Sequence, residues 1–277
     1  MSERIFPEDP AGLLPMFQEQ KGFYLCPKDG EGKRLGPLVG YAGRDEHGKN
    51  LVGDAYFNYA MIEEWPGANV SFAEAIGQQI VGMGIPDQIF GMPMGGLFLS
   101  YAVAEQLHCR VGFMEKVVLT ARTGTSREVS RLVFGRHGPA NGDEVVLIED
   151  VINNFSTTER AILECLEKGA SVLAIACAVN RSFPLREEFE CPGRGLIPVI
   201  AAITAPTPQW RQSDSEVEAD IIAGNVVWKP KLEWSRLEAA MASSPQEGEP
   251  GRYAKQGAPF DEPMEDDSFR AEGPSYG

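Results

Sequence analysis

The chemistry of this chain concentrates in one stretch, Val145-Val146-Leu147-Ile148-Glu149-Asp150-Val151-Ile152-Asn153-Asn154-Phe155-Ser156-Thr157. An apolar run delivers two adjacent carboxylates to a strand end, and a short polar loop then leads into a helix start. Paired carboxylates accept hydrogen bonds from vicinal hydroxyls or help to hold a magnesium-bound sugar. Amides at a helix N-terminus attract phosphate, because their N–H groups are unpaired and the helix dipole is positive there. Together the two features suit a ligand that is both sugar and phosphate. A plainer arrangement fits the same residues, with Ser156 capping a helix and Glu149 and Asp150 merely solvated.

Further groups could join them. Met92-Pro93-Met94-Gly95-Gly96 is a Gly/Pro turn between a short apolar run and a helical pattern. Lys116, Arg122, Arg127, Arg131, Arg136 and His137 cluster in an otherwise acidic protein, although each alone also suits a solvated surface. Arg181 follows another apolar run. A guanidinium there can pair side-on with a carboxylate, or simply sit at the surface in a strand-to-loop turn.

Such groups need a scaffold that brings strand ends together. From about Val70 the sequence alternates between helical and strand patterns. Ser71 to Met83 reads as a helix opened by a Ser71/Glu74 capping box. Ile89–Gly91 reads as a strand, Leu97–Leu107 as a helix and Val111–Met114 as a strand. Glu144–Ile148 is apolar enough to be buried on both faces of a parallel sheet. A second capping box, Ser156/Glu159, opens a helix through Leu166, and Ser171–Val179 is another buried strand. The pattern predicts an α/β fold with a doubly wound, mainly parallel sheet. Ligands of such sheets bind beyond the carboxyl ends of the strands, where the acid pair and Arg181 both fall.

Residues 1–69, rich in Gly and broken by Pro, carry only short β-like stretches and read as an N-terminal hood. Residues 70–242 read as the α/β core with a C-terminal cover, in which Trp210, Trp228 and Trp234, with Pro206, Pro208 and Pro230, pack on the sheet. Residues 243–277 hold eight acids against three bases and few aliphatic side chains. They cannot bury enough apolar area to offset their ordering entropy, so they read as a disordered acidic tail.

The whole chain of 277 residues carries 25 Lys+Arg against 40 Asp+Glu, a formal charge of −15. That balance argues against a nucleic-acid or anionic-membrane partner. Five cysteines without a C-x-x-C pair, and three histidines, show no zinc-ligand spacing and read as reduced thiols of a cytoplasmic protein. No apolar run approaches the roughly 20 residues of a membrane span, and Met1 to Pro7 lacks the basic-then-apolar order of a signal peptide.

The stretch from Val145 to Thr157 resembles the phosphoribosyl-pyrophosphate (PRPP) motif of type I phosphoribosyltransferases: four apolar residues, two acids, then a Thr/Gly-rich loop ending in Thr or Ser. Phe90 to Gly96, followed by a helix, is similar to that family's pyrophosphate loop, and Lys116 to Arg136 to the hairpin that closes over its site. The resemblance covers roughly Val70 to Val199. Within the family the orotate enzymes are most similar, through Glu149-Asp150-Val151 and through Asn180-Arg181, where they tend to carry Asp-Arg.

The resemblance implies a homodimeric transferase that moves the phosphoribosyl group of PRPP to a nucleobase, orotate foremost, and releases pyrophosphate. Glu149 and Asp150 would hold the ribose hydroxyls. Val151 and Ile152 would lead into Asn153, Asn154, Phe155, Ser156 and Thr157 around the 5-phosphate. Met94, Gly95 and Gly96 would meet the pyrophosphate. Lys116, Arg122 and Arg127 would act with Asp150 in catalysis, and Arg181, with Asn153, would face the base. Mg2+ would be bridged through PRPP, with no direct protein ligand. Two departures stand out. Phe155 occupies a position the family gives to glycine, so its ring either points away from the phosphate or blocks it. The family's Lys-x-His-Gly arrangement is out of register, and His137-Gly138 falls in the turn before the acidic strand. A purine-type transferase, or a non-catalytic PRPP- or nucleotide-binding regulator on the same fold, is the alternative.

Overall fold

A computed structural model describes residues 7–120, 129–191 and 195–243. In chain order they form α1 (Leu14–Glu19), β1 (Phe23–Leu25), β2 (Leu38–Arg44), β3 (Asn50–Gly53), β4 (Ala55–Phe57), α2 (Ala60–Glu63), α3 (Pro66–Val81), β5 (Gln88–Gly91), α4 (Gly96–Leu107), β6 (Arg110–Thr120), β7 (Val129–Phe134), β8 (Glu144–Ile152), α5 (Ser156–Glu167), β9 (Ser171–Asn180), β10 (Glu188–Cys191), β11 (Gly195–Thr204), α6 (Glu218–Ile222), β12 (Val226–Val227) and α7 (Trp234–Ala242). The acidic tail expected beyond Ser243 lies outside the described residues, as do Arg122 and Arg127.

Seven strands make the main sheet, in the order β10-β11-β9-β8-β5-β6-β7. The five inner strands run parallel, and β10 and β7 close the two edges antiparallel. Side chains alternate along a strand, so β8 faces two layers. Val146 and Ile148 pack with Phe72, Ile76, Leu99 and Val103 of α3 and α4. Val145 and Leu147 pack with Ala161, Ile162 and Cys165 of α5. Each fully buried aliphatic or aromatic chain of this kind stabilises the fold by about 1.5–3 kcal/mol. This is the doubly wound, mainly parallel α/β architecture that the sequence predicts.

Three local expectations need correction. The helix expected at Ser71 begins at Pro66, whose ring fixes φ at a helical value and whose missing N–H costs nothing in the first turn. Ser71 lies inside that helix and donates to the Gly67 carbonyl at 3.2 Å, so it caps nothing. The helix after the acid pair is capped by Phe155, not Ser156, with φ at 59° and no side-chain cap. The acidic strand, expected to stop at Ile148, runs on to Ile152 because Glu149 and Val151 stay in register with Cys177 and Val179 of β9.

The N-terminal strands form two small sheets, β1-β4 and β12-β2-β3, the second completed by the C-terminal strand β12. Phe17, Phe57 and Tyr59 tie this part into the α3 side of the core, with Phe17 edge-on to Phe57 and to Phe72 at 5.6 Å. The C-terminal tryptophans, expected on the main sheet, pack instead on these small sheets. Trp234 joins the cluster around Tyr24 and Tyr41, and Trp210 the one around Leu38 and Val52. Trp228, expected in the core, is 46% exposed and lies across Gly40, where a Cβ would run into its ring. No helix among the described residues is long and apolar enough to cross a membrane.

Candidate active site

The site is built where β5, β8 and β9 end. The turn after β5 folds back over β8, with the Met92 N–H donating to the Ile148 carbonyl at 2.8 Å. A Cβ on Gly95 would overlap the Asp150 carboxylate, and one on Gly96 the Ile148 carbonyl oxygen. Glycine at both places lets the Met94-Gly95-Gly96 turn lie directly against the acid pair, while the Met94 side chain is 81% exposed.

Glu149 and Asp150 are part-buried neighbours. Burial, reinforced by the Asp150 charge, pushes the Glu149 carboxyl up to about 8. Its Oε2 is sealed from solvent with no hydrogen-bond partner among the described residues. Burial raises Asp150 as well, while the Val151 and Asp150 amides and the Lys231 charge pull it back. A carboxylate pair with an unsatisfied acceptor oxygen suits hydroxyl or metal-bound water donors. Among the described residues no three His, Cys, Asp or Glu groups gather closely enough to hold an ion unaided. A magnesium ion carried in by a diphosphate ligand fits this set, since Mg2+ keeps several waters and few protein ligands.

The loop Asn153-Asn154-Phe155 joins the acidic strand to α5. Phe155 adopts the left-handed backbone that glycine would take, at a cost of roughly 1–2 kcal/mol. It does so because its ring is 3% exposed, seated in the α5 layer 5.5 Å from the Phe189 ring. Of the two possibilities the sequence left open, the ring points into the core and leaves the outer face of the loop clear. Asn154 is exposed, and its Oδ1 accepts from the Ser156 N–H at 3.2 Å. The Ser156 side chain is exposed at the first turn of α5, and Thr157 is part-buried beside it.

Arg181 is 6% exposed, which rules out a surface arginine. Its N–H donates to the Ile152 carbonyl at 2.9 Å, and its guanidinium lies 4.2 Å from the Tyr41 ring centre. Nε and Nη2, the two donors along one edge of the fork, are sealed from solvent and meet no acceptor of hydrogen-bond geometry among the described residues, with the Tyr41 hydroxyl lying alongside. The Tyr41 hydroxyl donates to the Ala55 carbonyl, which fixes the ring over the arginine. Burial raises the Tyr56 hydroxyl of β4; the Asp150 charge adds to the rise and the Arg181 charge opposes it.

The hairpin cations separate. Lys116 is exposed on β6 opposite Leu132, beyond the point where β6 leaves β5. Arg131 does not join it. Both its Nε and Nη2 reach Glu164 of α5, at 3.2 and 2.8 Å, and Nη2 also meets Glu167 at 2.8 Å. Arg136 and His137 line a hollow of about 480 Å3 with Gln88 and Arg110, at the opposite end of the strands from the acid pair.

Several site residues escape sequence reasoning because they lie outside the motif-bearing span. Glu63, at the end of α2, has an Oε2 sealed from solvent without a partner among the described residues, and burial and the Asp150 charge both raise its carboxyl. Lys231, in the loop after β12, opposes both Glu63 and Asp150. Gln209 pairs with Asn153. Short β-like runs were the only signal for Tyr41 and Tyr56, and nothing local marks the others.

No family model matches the chain. Curated relatives do. An orotate phosphoribosyltransferase of Caldanaerobacter subterraneus subsp. tengcongensis is 26% identical over 129 residues, covering 47% of this chain and 62% of the relative. One from Nitratiruptor sp. is 28% identical over 162 residues, 54% of this chain and 74% of the relative. Orotate phosphoribosyltransferase 2 of Mesorhizobium japonicum is 31% identical over 135 residues, 44% and 64% respectively. The chain spans about three-fifths of the length of the first of these. Among solved structures, orotate phosphoribosyltransferase from Aeropyrum pernix aligns with a TM-score of 0.44 at 15% identity, over 69% of this chain and 93% of the other. By sequence, then, the chain is similar to curated orotate phosphoribosyltransferases over about half of its length.

Proposed function

We propose that the chain transfers the phosphoribosyl group of PRPP to orotate, forming the nucleoside monophosphate and pyrophosphate, as a cytoplasmic homodimer. The observation that carries this reading is Arg181: two adjacent guanidinium donors, buried and without an acceptor of hydrogen-bond geometry among the described residues, on the edge that pairs side-on with a carboxylate. A neutral purine has no such group to offer. Residues 70–242 carry the chemistry on this reading, and residues 1–69 cover it.

In the transfer, the bond from the anomeric carbon to the pyrophosphate oxygen breaks and a bond to a ring nitrogen of the base forms, with the proton of that nitrogen passing to solvent or to the departing pyrophosphate. Positioning and charge stabilisation then supply most of the acceleration. Glu149 and Asp150 accept from the ribose hydroxyls. The 153–157 loop and the first turn of α5 take the 5-phosphate. The Met94-Gly95-Gly96 turn takes the pyrophosphate, and Lys116, with Arg122 and Arg127, meets its charge as it leaves. Magnesium bound with PRPP would offset part of that charge.

Pyrophosphate release tests the reading, measured with PRPP, Mg2+ and each of orotate, uracil, adenine, guanine and hypoxanthine, with Asp150→Ala as control. Turnover with orotate alone, lost in the control, is expected. Turnover with a purine alone would sink the role given to Arg181. PRPP binding without turnover on any base would move the chain to the regulators.

A further inference from the structure

We infer that Gln209 is a positioning residue for the phosphate-side loop, clamping Asn153 from a segment that no motif touches. The two side chains form a reciprocal amide pair across 56 residues of sequence. The Asn153 Nδ2 donates to Gln209 Oε1 at 3.4 Å, and the Gln209 Nε2 donates back to Asn153 Oδ1.

Gln209 can act as a clamp because its own backbone is held on both sides. Upstream, the Ala205 N–H donates to the Asn180 carbonyl at 2.8 Å and the Thr207 N–H to the Arg181 carbonyl at 3.3 Å. Downstream, Trp210 exchanges two backbone hydrogen bonds with Val52 of β3, at 2.9 and 3.0 Å. The segment thus links the end of β9, the loop and the hood.

The loop itself shows why it needs such an anchor. It has three residues between β8 and α5. Phe155 fixes the α5 end by burying its ring, and Asn154 is exposed. Within the loop the Asn154 Oδ1 also accepts from the Ser156 N–H, and at the Asn153 end the direction of the loop is set by Gln209. Amides that must meet a phosphate work best when they are already aimed, since no reorganisation is then needed on binding. The inference rests on the proposed function only in taking the ligand to be a phosphate ester.

The test uses the full chain, its Gln209→Ala, Gln209→Glu and Asn153→Ala variants, and the Gln209→Ala/Asn153→Ala double variant. Ribose 5-phosphate binding is measured by calorimetry, the KM for PRPP and kcat by turnover, and loop exposure by amide hydrogen exchange at residues 154–157. Loss of both hydrogen bonds, partly replaced by water, predicts roughly tenfold weaker ribose 5-phosphate binding in Gln209→Ala. The KM for PRPP should rise by a similar factor with kcat much less affected, and loop amides should exchange faster. Gln209→Glu, which keeps an acceptor for Asn153 and loses the donor, should fall between. The double variant should be no worse than Asn153→Ala alone, because the pair acts as a unit. Unchanged affinity and exchange in Gln209→Ala, or losses that simply add, would overturn the inference. If the parent chain binds no ribose 5-phosphate, the transfer reading fails. Gln209 is then judged by loop exchange alone, faster exchange upholding its role and unchanged exchange removing it.

Discussion

Replacing Glu149 by glutamine should stabilise the free protein at high pH while weakening its ligand. Burial and the Asp150 charge hold the Glu149 carboxyl at about 8 in the folded chain, against 4.5 when solvated. A group raised on folding binds its proton more tightly in the native state. Its contribution to stability is therefore complete below pH 4.5 and is lost as pH rises through about 8. At 1.36 kcal/mol for each pKa unit, the ceiling on that loss is about 5 kcal/mol. Water at the mouth of the site screens part of it, and we expect about 2–4 kcal/mol to remain. Glutamine has no carboxyl to ionise. Denaturant unfolding of the parent and Glu149→Gln, from pH 4 to 9, should give nearly equal stabilities at pH 4 and a widening advantage for the variant up to about pH 8. Ribose 5-phosphate, whose hydroxyls reward the charged carboxylate, should bind the variant more weakly. Parallel stability curves would show that Glu149 titrates as a solvated carboxylate, and the account of the acid pair would fail.

Other consequences can be checked on single variants. Gly96→Ala drives a Cβ into the Ile148 carbonyl, and thermal melts should show a loss of about 1–3 kcal/mol. Phe155→Gly relieves about 1 kcal/mol of left-handed strain but forfeits about 3–5 kcal/mol of ring burial, so denaturant titration should show a less stable chain; a more stable one would mean that the ring contributes little. Arg181→Met removes two buried donors that lack partners among the described residues, each costing about 1–3 kcal/mol, so the variant should melt no lower than the parent. It should also keep ribose 5-phosphate binding and lose orotate turnover, the two assays together separating base recognition from folding.

The parts of this molecule legible in its sequence are those whose signal is local. β8 and β9 announce themselves because a strand buried on both faces must be apolar throughout, and the two acids are conspicuous for breaking that run. Capping boxes are local signals too, yet both mislead here, each for a separate physical reason. At α3, Pro66 starts the helix five residues before Ser71. At α5, the gain from burying the Phe155 ring exceeds the cost of its left-handed backbone, so Phe155 takes the cap that Ser156 was expected to fill. Arg181 could be found in the sequence, but not its burial, which depends on Tyr41 folding over it from 140 residues away. Gln209 illustrates the same limit. Nothing in its neighbourhood of prolines distinguishes it from a surface glutamine, and only the fold brings it to Asn153. The two kinds of residue belong to one arrangement. A loop rich in glycine obtains its shape from its own backbone freedom, so its sequence discloses its function. Asn153-Asn154-Phe155 lacks that freedom and is held by a buried ring on one side and a distant amide on the other, so its shape is recorded mainly in contacts that a linear reading does not contain.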